Sequence, residues 1–191
     1  MRMRIMITGA GGFMGRNLTE ALRERRGEDA LELIDAATPR EALEAACARA
    51  DFVFHLAGVN RPPDPEAFMR ENGDFTAGVM ALLARGKRPP VVLSSSIQAA
   101  LDNPYGLSKR AAEEAVAAYG RATGAQTFIY RLPNVFGKWS RPNYNSVVAT
   151  FCHNLARGLP ITINDPEAEV PLVYIDAVSY THLTLPTNSR V

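Results

Sequence analysis

Tyr105 and Lys109, in the run DNPYGLSK, stand four residues apart, so on a helix they project from one face a turn from each other. That helix has a readable start: Asp102 or Asn103 can cap it, and Pro104 suits its first turn. A phenol ordinarily titrates near pH ~10. An ammonium one turn away, a nearby helix N-terminus and a positively charged second reactant bound beside them together favour the phenolate, so the Tyr105 pKa is expected to be drawn down. Tyr105 can then give a proton to a carbonyl oxygen or take one back. Upstream, Ser94-Ser95-Ser96 closes the apolar run Val91-Val92-Leu93, and a strand-terminal hydroxyl, with Ser96 the candidate, would hold that oxygen as it gains charge. Taken singly, a Tyr/Lys pair is usually a solvated pair and a serine triplet usually a turn; their proximity carries the argument.

The element that would bring a second reactant to these groups is at the start of the chain. In RIMITGAGGFMG, a short apolar strand breaks into Gly9, Gly12 and Gly15, spaced G-x-x-G-x-x-G. Missing side chains there permit a tight turn, backbone approach to a phosphate and close packing of the next helix. That helix, over 14–25, aims its first N–H groups at a dinucleotide pyrophosphate, which places Phe13 and Met14 at the contact. A second strand over 31–34 ends in Asp35, close to twenty residues past the loop, where an acid meets ribose hydroxyls; a turn aspartate is the competing reading. A crossover helix over 39–49 carries Leu43, Ala46 and Cys47 at helical spacing.

The run DFVFHLAG over 51–58 reads as a buried strand leading into a loop. Its His55, set in an apolar strand, reads as a packed core histidine rather than a catalytic one. Loop NRPPDP is stiffened by proline, and a helix over 68–84 follows with Asn72 and Thr76 one turn apart. The Tyr/Lys helix runs on through Ala118 to a strand over 128–132. PNVFG then forms a turn, Lys138, Arg141, Asn143 and Asn145 gather polar donors before a helix over 146–157, and short strands are expected at 161–163 and within 170–176.

With 191 residues, 47% of them hydrophobic, the chain can form one domain with a sizeable core. A net charge of +1 with intermixed signs gives no footprint for nucleic acid or a membrane surface. Two cysteines, Cys47 and Cys152, make no disulfide framework and read as buried thiols of a cytoplasmic protein. No Cys/His spacing suggests a metal site. Residues 178–187 read VSYTHLTLPT, a peptide also spelled by the transposase adapter of sequencing libraries. The expectation is therefore a domain over 1–177 and a non-native tail over 178–191.

The motifs together resemble the short-chain dehydrogenase/reductase family in its extended form: TGxxGxxG, HLAG, the strand-terminal serine, Y-x-x-x-K and R-x-x-N-V-x-G. The resemblance implies an α/β fold, a Rossmann-like doubly wound parallel sheet in three layers, here C-terminally truncated; the chain departs from the family between Asp35 and HLAG, where one short helix leaves the sheet one strand poorer or two strands merged. It implies catalytic roles for Ser96, Tyr105 and Lys109, with the choice among the three serines open. It implies coenzyme contacts at Gly9, Gly12, Phe13, Met14, Gly15, Asp35, Leu56, Ala57, Gly58, Lys109 and Pro133, and substrate contacts at Ser96, Asn134, Arg141 and Asn145. Asn72 would tie its helix to the active-site strand. Longer runs, among them DFVFHLAGVNRP and SSSIQA, are similar to the reductase half of the CapF-type capsular polysaccharide enzymes. Those use NADPH to reduce C4 of a UDP-2-acetamido-2,6-dideoxy-4-hexulose, and they carry a further cupin domain. By that likeness the partner is a UDP-linked 4-keto sugar, the full-length form a homodimer, and NADP(H) the favoured coenzyme, with NAD(H) the alternative because Ala36 and Ala37 follow Asp35 and only Arg16 or Arg40 is near to meet a 2′-phosphate. The competing readings are an epimerase or dehydratase on the same fold, although Ile97-Gln98 offers no acidic pair for dehydration, and a non-catalytic NAD(P)-binding scaffold or inactive fragment.

Overall fold

The computed structural model describes residues 3–27 and 30–183, and its contacts divide the chain after Leu132 into two units, taken here in turn. In the first, the apolar runs form β1 (Arg4–Thr8), β2 (Ala30–Ile34), β3 (Phe52–His55), β4 (Val91–Ser96) and β5 (Thr127–Leu132). All neighbours are parallel, in the order β2-β1-β3-β4-β5. Parallel neighbours need crossovers. These are α1 (Phe13–Arg25), α2 (Arg40–Arg49), the run α3 (Glu66–Phe68), a π-turn (Met69–Asp74) and α4 (Phe75–Arg85), and α5 (Pro104–Thr123).

The first crossover steps one way along the sheet and the later ones step the other, so right-handed connections put α1 on one face and α2, α4 and α5 on the opposite one. The result is a three-layer, doubly wound parallel sheet of the Rossmann kind. Met6, Val53, Val91 and Leu93 pack with Ala46, Cys47, Val79, Leu83 and Val116 in one core. Ile5, Ile7, Phe54 and Val92 alternate with these strand residues and are buried on the other face. Burial on both faces is why the strands read as unbroken apolar runs. The order reverses between β1 and β3, and a sheet of this topology opens its ligand crevice at the carboxyl ends of the strands at that reversal.

The serine triplet forms the carboxyl end of β4, as its place after the apolar run implies: Ser94, Ser95 and Ser96 pair with Tyr130, Arg131 and Leu132. A single helix, α2, bridges β2 and β3, in keeping with a sheet one strand poorer there, and among the described residues the sheet has five strands. Other elements differ from expectation. The helix before β4 begins at Glu66 and contains the π-turn, in which Phe75 N–H reaches back to the Arg70 carbonyl and consecutive Asn72 and Gly73 both face inward. Helix α5 runs past Ala118 to Thr123. The two cysteines are unlike: Cys47 is buried, but Cys152 is exposed, because α6 has no buried residue.

The second unit holds β6 (Asn134–Phe136) in parallel with β7 (Leu172–Tyr174), together with α6 (Val147–Leu155) and α7 (Ile175–Leu183). Asn134 to Phe136 is thus a strand where a turn was expected, and 161–163 forms none. The stretch expected to be non-native begins inside α7, and its remainder, 184–191, lies outside the described residues.

Candidate active site

The glycine loop and the HLAG loop meet at the reversal point. Gly9 has φ +69°, and a Cβ there would stand 2.7 Å from Ala57 N, so only glycine lets the two loops approach this closely. Helix α1 follows with Gly12 as N-cap and no capping side chain, the geometry in which a phosphate can take the first N–H groups. Phe13 and Met14 open that helix, and Gly15 packs so tightly that a Cβ would strike the Gly9 carbonyl. Asp35 follows β2; its Oδ1 accepts from Ala37 N–H at 2.9 Å, as a turn aspartate does, while its Oδ2 lies 3.7 Å from where a Gly11 side chain would start. The two readings of Asp35 therefore coexist. Arg40, a candidate for a 2′-phosphate, is paired with Glu44 on its own helix at 2.8 Å. The bare loop, the uncapped helix start and an acid beside Gly11 fit a dinucleotide.

Behind this loop, His55 is fully buried between two hydroxyls, with Nδ1 2.8 Å from Thr8 Oγ1 and Nε2 2.8 Å from Thr76 Oγ1. The proton positions follow by elimination. Thr76 donates its hydrogen to the Asn72 carbonyl at 2.6 Å, so it accepts from His55 Nε2–H; Nδ1 then accepts from Thr8. Thr8 in turn accepts from Ala57 N–H at 3.3 Å. A directed chain runs from the HLAG loop through β1 and β3 into the π-turn. Burial and the Lys109 charge push the imidazole pKa down to about 3, so His55 is a neutral structural residue.

Asn72 is placed differently from expectation. Its Oδ1 accepts from Val59 N–H at 2.8 Å, and its Nδ2 donates to Val59 O at 3.0 Å and to Ser108 Oγ at 2.9 Å. It ties the loop after β3 to α5, not to β4. Gly58 is bare because a Cβ would come within 2.7 Å of that same Oδ1, and it lies 3.9 Å from Lys109 Nζ by the same construction.

Helix α5 presents the reactive face. Asn103 caps it, Oδ1 accepting from Gly106 N–H at 2.7 Å. The interval from β4 is short because a tight turn, Ile97–Ala100, follows directly, with Ser96 capping it. The Tyr105 ring packs on Phe68 with centroids 5.6 Å apart, and the Ser96 hydroxyl acts on its phenol, favouring the phenolate. Lys109, 6% exposed, donates from Nζ to the Ser94 carbonyl at 2.8 Å. The three serines are thereby distinguished: Ser94 offers its carbonyl to Lys109, Ser95 donates to Glu113, and Ser96 meets the phenol. The expected fall in the Tyr105 pKa is not what the protein's own groups produce. Burial raises it, and the Ser96 hydroxyl only partly opposes that rise. Lys109 is itself pushed down to about 8 by burial, with Glu113 opposing the fall.

Glu113 and Arg131 were not singled out as site residues. Arg131 grips Glu113 through Nε at 2.9 Å and Nη2 at 2.7 Å. The spacing Lys109 to Glu113, again four residues on one helix, was the available signal. The remaining candidates lie in or at the edge of the second unit. Pro133 precedes β6, Asn134 Nδ2 reaches the Pro171 carbonyl at 3.4 Å, Arg141 lies over the Tyr144 ring at 5.5 Å, and Asn145 is exposed. Among the described residues no helix is long and apolar enough to cross a membrane.

A dinucleotide loop, a strand-end serine and a Tyr/Lys helix on a parallel sheet define an epimerase/dehydratase of the extended short-chain kind, and the chain belongs to the NAD dependent epimerase/dehydratase family, whose model matches residues 5–190. It is 50% identical over 182 residues to the UDP-2-acetamido-2,6-beta-L-arabino-hexul-4-ose reductase of Pseudomonas aeruginosa, a match covering 95% of this chain and 49% of that protein. The crystal structure of the capsular polysaccharide assembling protein CapF from Staphylococcus aureus superposes with a TM-score of 0.82 at 41% identity, over 93% of this chain and 47% of that one. The UDP-glucuronic acid 4-epimerase of Bacillus cereus, with a TM-score of 0.84 at 18% identity over 97% of this chain and 74% of its own, shares the fold. The chain spans about half the length of the first two relatives.

Proposed function

We propose that the chain carries the coenzyme-binding and proton-donating half of a nucleotide-sugar 4-keto reductase, acting on the C4 ketone of a UDP-2-acetamido-2,6-dideoxy-4-hexulose in capsule or O-antigen sugar synthesis. The carrying observation is that a buried Lys109, held by the Ser94 carbonyl of β4, stands one helical turn from Tyr105 on α5, with the Ser96 hydroxyl at the end of β4 acting on the phenol. The similarity to the Pseudomonas reductase supports the substrate class. A bound NAD(P)H supplies the hydride. Tyr105 gives its phenolic proton to the carbonyl oxygen, and Ser96 donates a hydrogen bond to that oxygen as charge develops. The Lys109 ammonium stabilises the phenolate left behind and binds the nicotinamide ribose. Gly9, Gly12, Phe13, Met14 and Gly15 hold the pyrophosphate, Leu56, Ala57, Gly58 and Pro133 line the coenzyme, and Asn134, Arg141 and Asn145 contact the substrate. NADPH is the coenzyme the CapF likeness favours; the Asp35 carboxylate beside Gly11 favours NADH.

The test is oxidation of NADPH and of NADH with a panel of UDP-4-keto sugars, using this chain and one extended to the length of its relatives. Tyr105→Phe lowers kcat by roughly 10²–10⁴-fold, the range of a lost general acid. Undiminished turnover in that variant removes Tyr105 as the proton donor, and an isomerised sugar with no net coenzyme oxidation replaces the reductase by an epimerase.

A further inference from the structure

Lys109 holds a charge where its surroundings disfavour one. The side chain is 6% exposed and its ammonium donates to a neutral carbonyl, that of Ser94, which offsets only part of the cost of burying a cation. The groups facing it come from every element packed around it. His55 on β3 is neutral, Asn72 in the π-turn brings an amide next to Gly58, and Tyr105 lies one turn before it on α5. Glu113, one turn after Lys109 on α5, brings the negative charge and is itself gripped by Arg131 on β5.

That carboxylate is fixed from two strands. Ser95 of β4 donates to Oε1, and Arg131 of β5 donates to both oxygens in a two-pronged grip. Arg131 is 49% exposed, so water screens its charge, whereas Glu113 is 13% exposed and acts across the protein interior. We propose that Glu113 is a positioning residue: clamped between β4 and β5, its carboxylate is the counter-charge that keeps Lys109 an ammonium one turn from Tyr105. The clamp also seats Ser95, the neighbour of Ser96, so one carboxylate steadies both the ammonium and the strand end that meets the phenol. The inference rests on the reductase reading for the use made of Lys109, and the clamp stands apart from it. Burial takes the Lys109 pKa down to about 8, and Glu113 acts against that fall.

Lys87, Lys109 and Lys138 are the three lysines of the sequence, so side-chain NMR of isotope-labelled lysine in the present chain reads Lys109 directly, its signal assigned by loss in Lys109→Arg. In Glu113→Gln the Lys109 midpoint falls by roughly one pH unit, the scale of losing one nearby opposite charge, while Lys87 and Lys138 stay in place. Glu113→Asp, which keeps the charge, recovers most of the fall. Arg131→Gln removes the two-pronged grip on the carboxylate from a half-exposed position and lowers the midpoint, by less than Glu113→Gln, which decides the matter if Glu113→Gln does not fold. An unmoved midpoint in folded Glu113→Gln, an Asp variant no better than Gln, or an unmoved or raised midpoint in Arg131→Gln overturns the proposal. The titration needs neither coenzyme nor substrate; a shifted Lys109 in a chain that reduces no sugar sinks the reaction assignment alone.

Discussion

His55 makes stability depend on pH in a window where few other groups act. Its two ring nitrogens are matched to Thr8 and Thr76, one as acceptor and one as donor. A second ring proton would set two donors against each other in a site with no exposure to water. The folded imidazole therefore titrates near 3, while an unfolded one takes its proton near pH ~6.5. Below that pH the unfolded chain binds more protons than the folded chain, so stability is intact above it and is lost as pH falls towards the folded value. Each pH unit costs about 1.4 kcal/mol, so lowering the pH from about 6.5 to about 5 removes about 2 kcal/mol. Lys109, titrating near 8, stays charged through this interval. Urea unfolding at a series of pH values measures the effect in the wild type and in His55→Asn. At neutral pH the variant is less stable by about 1–3 kcal/mol, since it strands buried hydroxyls, but its stability lacks this slope, so the gap closes as the pH falls. A wild type equally stable at both pH values, or a slope that survives in His55→Asn, would refute the directed chain.

The loop contact and the cysteines give two further tests. Gly9→Ala forces a side chain into a left-handed backbone, at about 1–2 kcal/mol, and drives its Cβ to 2.7 Å from Ala57 N; calorimetry should show dinucleotide affinity reduced at least ~10-fold, and undiminished affinity contradicts the loop assignment. With an aromatic disulfide reagent at neutral pH, the native chain reacts at exposed Cys152 alone, because burial pushes the Cys47 thiol up to about 11; native labelling that persists in Cys152→Ser refutes this.

The parts legible in the sequence were those with a strict local signature. Apolar runs of β1, β3 and β4 alternating with helical spacing define a parallel sheet because burial on both faces leaves no polar stripe, and Asn103-Pro104 announces a helix start by backbone chemistry alone. Side chains whose roles depend on tertiary partners were harder. Asn72 could be placed on a helix, but the π-turn that aims it at Val59 and Ser108 leaves no periodic trace. The serines were legible as the end of β4, but not which partner each takes: pairing with β5, the Lys109 bond at the Ser94 carbonyl and the Glu113 bond at Ser95 are tertiary contacts.

The largest departure, the sign of the Tyr105 shift, has a simple origin and a chemical consequence. An ammonium one turn away on a helix acts strongly on a phenol only if the phenol is not itself being desolvated. Here the ring is packed on Phe68, so burial outweighs the help from Ser96, while Lys109 is itself suppressed and bound to the Ser94 carbonyl. The protein's own groups thus keep Tyr105 protonated at neutral pH, the form needed to give a proton to a ketone and the wrong form for taking one from an alcohol. For the proposed reduction that is the form the proton transfer needs, and the charge on Lys109 matters most after that transfer, when a buried phenolate needs a cation beside it.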